Sequence, residues 1–227
     1  MLPSRPNLST SSTNNARPAS TIWLVDGRTV DDAELARDAA WLNADEAARY
    51  GRFVQPLRQR QFLIGRVLLR RALGWLLNVP VGAISLTERP GLAPLLDHVE
   101  PAPGFSLSHS GPWVACAVCA QSALGLDIEV MDAQRDLHAL AEQAFNAEEK
   151  RWFAKQSNRT RVAAFYQLWS SKEARIKLAA NSASTCEGSQ LILPHPSISM
   201  VLCSALQTEA MLMHDAFGSL PLAARPA

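Results

Sequence analysis

The sequence predicts an α+β fold, and three observations carry that prediction. Strand-like runs are short and either alternating or wholly apolar. Two helical stretches are long. Strands tend to follow one another, with no regular strand–helix–strand alternation. The chain has 227 residues, enough for one large domain or for two lobes of roughly 100 residues each.

Residues 22–25 read as an opening strand. Residues 31–53 are helical, and Asn43-Ala44-Asp45-Glu46 forms a capping box that starts a second helix within them. Residues 59–77 make a strong helix whose apolar side chains occur on nearly every side, which predicts burial. Arg66 and Arg70 share one side of it, and two arginines on a buried helix call for an anion nearby. Residues 84–87 suggest a short strand before the turn-rich Arg89-Pro90-Gly91-Leu92-Ala93-Pro94.

Residues 105–108 and 113–119 are the next strands, separated by His109-Ser110-Gly111-Pro112. Residues 124–130 form a strand of period two, with Leu126, Ile128 and Val130 on one face and Asp127 and Glu129 on the other. Asn146-Ala147-Glu148-Glu149 is a second capping box, for a helix running towards Lys155. Residues 162–178 form another long helix, and residues 191–193 and 198–203 are closing strands. No close internal sequence repeat is visible.

The net charge of +1 argues against a dedicated nucleic-acid binder, which needs a broad positive field. Charge is uneven all the same: seven arginines and no acid lie between Arg49 and Arg71, either as a solvated face or as a seat for a small polyanion. The first twenty residues are too poor in apolar side chains to offset the cost of ordering and read as a disordered tail. No signal-peptide core and no membrane span is visible, so a cytoplasmic protein is expected. Cys116 and Cys119 form a C-x-x-C pair inside an apolar strand, where small buried side chains are a better reading than a zinc or redox site.

Three segments carry chemistry: Ser106-Leu107-Ser108-His109-Ser110, Gly125-Leu126-Asp127-Ile128-Glu129, and Trp169-Ser170-Ser171-Lys172-Glu173-Ala174-Arg175-Ile176-Lys177. Asp127 and Glu129 leave one strand face about 7 Å apart, where two carboxylates repel unless a cation lies between them. Magnesium suits such hard oxygens; a solvated acidic face is the plain alternative. On the later helix Val162, Phe165, Trp169 and Ile176 form an apolar stripe at 100° per residue, and Glu173 falls on it. An inward carboxylate needs a metal or a partner, and Lys177, one turn on, could supply a simple bridge. His109 sits at a strand exit, where it could donate to a phosphate oxygen. There is no nucleophile elbow, P-loop or dinucleotide fingerprint.

In that order the three segments resemble the surfactin-synthetase type of 4′-phosphopantetheinyl transferase. The resemblance extends upstream through Glu46, Arg49, Arg52, Phe53 and the helix from Phe62 to Arg70, and covers roughly residues 43–178. It implies two similar α+β lobes, a pseudo-dimer, with the active site in the cleft between them. The lobes would span residues 21–120 and 121–222, between a tail of residues 1–20 and a frayed end of residues 223–227. It further implies a Mg2+-dependent enzyme that moves the phosphopantetheine arm of coenzyme A onto a serine of an acyl or peptidyl carrier protein, releasing adenosine 3′,5′-bisphosphate. Carried over, Asp127, Glu129 and Glu173 would hold the metal and Glu173 would act as base. Ser108 and His109 would contact the phosphates, with His109 among the catalytic residues. Lys177 would stabilise charge on the departing phosphate, and Arg49 would grip the ribose 3′-phosphate. A monomer with no nucleic-acid or membrane partner is expected, with a non-catalytic coenzyme A or carrier-binding module as the alternative. The chain departs from the family at Gly91-Leu92-Ala93-Pro94, where relatives carry Gly-Lys-Pro. Arg89 is the candidate replacement for that lysine.

Overall fold

Two long helices, one in each half of the chain, lie on the outer faces of two sheets that pack against each other. The computed structural model describes residues 19–89, 91–182, 188–207 and 209–214. The expected tails and Cys186 lie outside these, except that Ala19 and Ser20 already belong to the first strand.

The first half runs β1 (Ala19–Asp26), α1 (Asp32–Asp38), α2 (Ala44–Gly51), α3 (Pro56–Leu77), β2 (Leu86–Thr87), β3 (Leu95–Leu96), β4 (Gly104–Ser110) and β5 (Trp113–Cys119). The second runs β6 (Leu124–Val130), α4 (Leu137–Ala144), α5 (Ala147–Ala154), α6 (Arg161–Asn181), β7 (Ser189–Leu193), β8 (Ile198–Ser204) and β9 (Glu209–His214). One sheet has the order β4-β5-β1-β9, another β6-β8-β7, and β2 pairs with β3 alone. All pairings are antiparallel except β1 with β9.

Helix α3 forms because Pro56 fits its first turn, where an N–H is not needed, and it stops at Asn78, which takes a left-handed C-cap and donates its N–H to Gly74 O. As the apolar pattern predicts, Leu63, Ile64, Val67, Leu68, Leu69 and Leu73 are all buried against Trp23, Val25, Val114, Cys116 and Val118. Burying each such leucine contributes about 1.5–3 kcal/mol. The other face of that sheet, with Ile22, Leu24, Ala115, Ala117 and Cys119, packs on Leu124, Leu126, Ile128, Met200 and Leu202 of the second. Helix α6 covers the outer face of β8 through Ala174 and Leu178 against Val201 and Cys203. Cys116 and Cys119 therefore point to opposite faces of β5 and are separate core residues, with the Cys116 thiol pushed upward by burial.

The halves repeat a plan that the sequence does not display: a strand, a short helix, a capped helix, then a helix of 22 or 21 residues. Both predicted capping boxes are present, at Asn43–Glu46 and Asn146–Glu149. In each, the box glutamate also pairs with the following long helix, Glu46 with Arg70 and Glu149 with Lys172. Three elements went unforeseen. Strand β3 pairs with β2. Helix α4 is capped by Asp136. Strand β9 leaves the second half to join the sheet of the first. Among the described residues no helix is long and apolar enough to cross a membrane.

Candidate active site

The site forms where α6 touches β6. A Cβ on Gly125 would lie 1.9 Å from the Ala174 carbonyl oxygen and 2.5 Å from the Leu178 nitrogen, so only glycine lets the helix approach so closely. That contact brings Lys177 down onto the strand. Its ammonium donates to Leu126 O at 3.0 Å, Asp127 Oδ1 at 2.8 Å and Ser108 Oγ at 2.9 Å, using all three protons.

Strand β4 reaches the same place through serines of period two. Ser106, Ser108 and Ser110 Oγ accept from the backbone N–H groups of Leu126, Ile128 and Val130 at 2.9, 3.1 and 3.0 Å. Hydroxyls thus take the part of carbonyls along the free edge of β6. Their protons serve the acids: Ser108 donates to Asp127 Oδ1 at 3.0 Å and Ser110 to Glu129 Oε2 at 2.6 Å. Asp127 is 4% exposed, and its Oδ2 is buried without a hydrogen-bond partner. Burial, and secondarily the Asp127 charge, push the Glu129 carboxyl above its ordinary value against the opposing pull of Ser110, Lys177 and Arg135.

The expected three-carboxylate cluster is not drawn together: among the described residues no three His, Cys, Asp or Glu side chains gather as a metal site. Glu173 is half-buried on α6 and makes no ion pair with a described residue, because Lys177, its candidate partner, is committed to Asp127. The apolar stripe also fails at its end. Ile176 is 61% exposed, since the inward face of α6 here runs through Ser170, Ser171, Ala174 and Leu178.

Beside this junction, between α3 and α6, opens a cleft of about 390 Å3 lined by Arg49, Arg58, Arg66, Ser108, His109 and Lys177 among others. Arg89 is not on its wall. It donates to Ala93 O at 2.8 Å and faces an adjoining cavity of about 230 Å3. The anion expected beside Arg66 and Arg70 is internal. Glu46, 0% exposed, accepts from Arg70 at 2.9 Å and faces Arg66 at 3.3 Å, and Glu88 binds Arg66 and, at 2.6 Å, Arg49. This part of the arginine stretch is therefore an ion-pair network rather than a solvated face, with Arg66 and Arg70 buried in it and Arg49 and Arg66 also lining the cleft.

Family comparisons account for both halves. The model of the 4′-phosphopantetheinyl transferase superfamily matches residues 123–214, and the 4′-phosphopantetheinyl transferase N-terminal model matches residues 29–121. The chain is 30% identical over 164 residues to the 4′-phosphopantetheinyl transferase HetI of Nostoc sp. (71% of this chain, 69% of that protein). The chain belongs to this superfamily. Over 144 residues it is 33% identical to the 4′-phosphopantetheinyl transferase psf-1 of Bacillus pumilus (63% and 60% of the two chains). The 4′-phosphopantetheinyl transferase Sfp of Bacillus subtilis is 27% identical over 175 residues (77% and 73%). The surfactin-type resemblance and the transferase class stand.

Against that family background the histidine is informative. His109 is exposed as a residue at the rim of the cleft, while its ring nitrogens are covered by Arg58, whose Nη1 lies 2.9 and 2.7 Å from them. Loss of water around the ring, then the Arg58 and Lys177 charges, hold its pKa down to about 4, so it is neutral at pH 7. Arg58 and the hydroxyls of Ser106 and Ser110 escaped the sequence reading. The serines could have been found, since alternation in a strand places all three on one face.

Proposed function

We propose that this transferase moves the phosphopantetheine arm of coenzyme A to a serine hydroxyl of an apo acyl or peptidyl carrier protein and releases adenosine 3′,5′-bisphosphate. The observation that carries the reading is the Lys177–Ser108–Asp127 junction beside a cleft walled by arginines. A ligand with about four negative charges needs such local cations in a protein of nearly zero net charge.

The donor set fits magnesium in part. Asp127 Oδ2 is a buried carboxylate oxygen without a partner, and Glu129 is a second hard donor on the same strand face. Glu173 would be the third donor, and it is not gathered with the other two among the described residues. Magnesium held there would offset pyrophosphate charge and steady the leaving group.

The remaining steps belong to the chain's own side chains. Glu173 accepts the proton of the carrier serine, whose oxygen then bonds to the phosphorus that carries the pantetheine arm. The bond from that phosphorus to the bridging oxygen breaks, and Lys177 stabilises the charge left on the departing phosphate. Ser108 and His109 contact phosphate oxygens, with neutral His109 donating from a ring N–H. Arg49 lines the cleft with one guanidinium nitrogen committed to Glu88. The attacking group comes from the partner, so the enzyme supplies alignment and electrostatics and needs no nucleophile of its own. The enzyme works in the cytoplasm as a monomer.

The test is mass spectrometry of several apo carriers incubated with the protein, coenzyme A and magnesium. One added phosphopantetheine arm, absent with Glu173→Gln, is expected. No addition to any carrier by folded protein that still binds coenzyme A would favour a non-catalytic binding module instead.

A further inference from the structure

We infer that Arg58 grips the ribose 3′-phosphate of coenzyme A and so sets the preference for coenzyme A over its 3′-dephospho form. This rests on the transferase reading above and deepens it.

Positive charge around the cleft is unevenly committed. Four cationic side chains line it: Arg49, Arg58, Arg66 and Lys177. Three of them already have carboxylates, with Glu88 serving Arg49 and Arg66, and Asp127 serving Lys177. Among the described residues Arg58 alone of the four pairs with no acid. Its partners are neutral: Gln61 Oε1 at 2.7 Å and the uncharged His109 ring. The 91–94 wall of the cleft, Gly-Leu-Ala-Pro but for the flanking Arg89 that faces away, contributes no cation.

Arg58 is also held ready. It is half-buried, anchored by Gln61 from one turn on, and its guanidinium lies 5.9 Å from the centre of the Phe53 ring. A pre-positioned guanidinium presents its planar donors to a phosphate at a smaller entropic cost than a free side chain.

Strand geometry separates this cation from the other anion site. Consecutive residues of β4 face opposite ways. Ser108 turns to β6, where Lys177 and Asp127 meet it, while His109 turns towards Arg58. Ser108 and Lys177 on one side of the strand, and Arg58 on the other, are the polar groups that a ligand with two separate anionic groups would meet in this cleft. Coenzyme A has a pyrophosphate and a ribose 3′-phosphate. With the pyrophosphate on the Ser108 and Lys177 side, as the proposed function has it, the 3′-phosphate falls to Arg58 rather than to Arg49, the residue the family resemblance suggested, which Glu88 already holds at 2.6 Å.

The experiment measures coenzyme A and 3′-dephospho-coenzyme A binding by calorimetry, and KM and kcat with an apo carrier, for wild type, Arg58→Met, Arg58→Lys and Arg52→Met. Losing one charge-assisted contact predicts a coenzyme A affinity roughly 10- to 100-fold weaker in Arg58→Met. KM should rise with it more than kcat falls, and affinity for the dephospho form should not change. Arg58→Lys should fall between wild type and Arg58→Met, which keeps the test valid if Arg58→Met folds poorly. Arg52 is exposed, bonds to Ala48 O and does not line the cleft, so Arg52→Met controls for general charge loss and should match wild type. Wild-type coenzyme A affinity in Arg58→Met, or equal losses for both ligands, would overturn the assignment. Wild-type protein that binds no coenzyme A would instead defeat the transferase reading itself.

Discussion

Gly125→Ala is a one-methyl test of how the site is assembled. The added Cβ would stand 1.9 Å from the Ala174 carbonyl oxygen, more than 1 Å inside the 3.0 Å that Cβ atoms keep from other heavy atoms, and 2.5 Å from the Leu178 nitrogen. Both obstacles are backbone of a helix whose neighbouring side chains are buried, so no flexible group can turn aside. Helix α6 must move off β6 by about an ångström or the strand must buckle. Overpacking of this kind costs typically 1–3 kcal/mol, and a backbone obstacle puts this case at about 3 kcal/mol or more. At roughly 2–4 °C per kcal/mol for a chain of this size, the melting midpoint should fall by about 6–12 °C. The displacement also draws Lys177 away from Asp127, Leu126 and Ser108, so transfer to the carrier should be lost at temperatures where the variant remains folded. Thermal unfolding by circular dichroism and the mass-spectrometric transfer assay read the two effects separately. A variant with the wild-type midpoint and wild-type turnover would refute the close-approach argument and the role given to the helix–strand contact.

Other outcomes follow from the same contacts. Glu46→Gln leaves Arg66 and Arg70 buried with one carboxylate fewer and should destabilise by about 3–5 kcal/mol in a urea titration; an unchanged midpoint would remove the network from the fold's essential supports. Ser108→Ala orphans the Ile128 N–H and takes a partner from both Lys177 and Asp127, costing about 1–3 kcal/mol with loss of transfer, as equilibrium denaturation and the carrier assay would record. His109 titrates at about 4 in the folded protein against an ordinary value of 6.5, so between these the unfolded chain binds a proton that the folded one refuses. Its contribution to stability is complete above pH 6.5 and is lost as pH falls towards 4, and His109→Asn should flatten that slope of midpoint against pH.

What could be read from the sequence was whatever lies in local pattern. Strand β6 matches its predicted bounds because Leu126 and Ile128 alternate with acids. Helix α3 was legible from Leu63 to Leu73, and both capping boxes from Asn and Glu three apart. The long-range pairings were not legible. Nothing local says that Glu88 answers Arg66, that Lys177 passes over Glu173 to reach Asp127, or that Ile176 turns outward. Each depends on which neighbour a helix face meets, and the stripe on α6 changes partner midway, from the aromatic cluster of α4 and α5 to strand β8. The candidate site residues were legible as candidates because most of them sit in three short segments. Arg58 lies in none of them.

The parallel pairing of Ala19 with Glu209 has a consequence for how the molecule comes into being. The first sheet borrows its outermost strand from the far side of the chain, so a nascent polypeptide halted at residue 121 exposes the bare flank of β1 however well α3 has settled. During synthesis that flank stays open to a stray partner until some ninety further residues have emerged, and the earliest strand to be made is among the last to be finished.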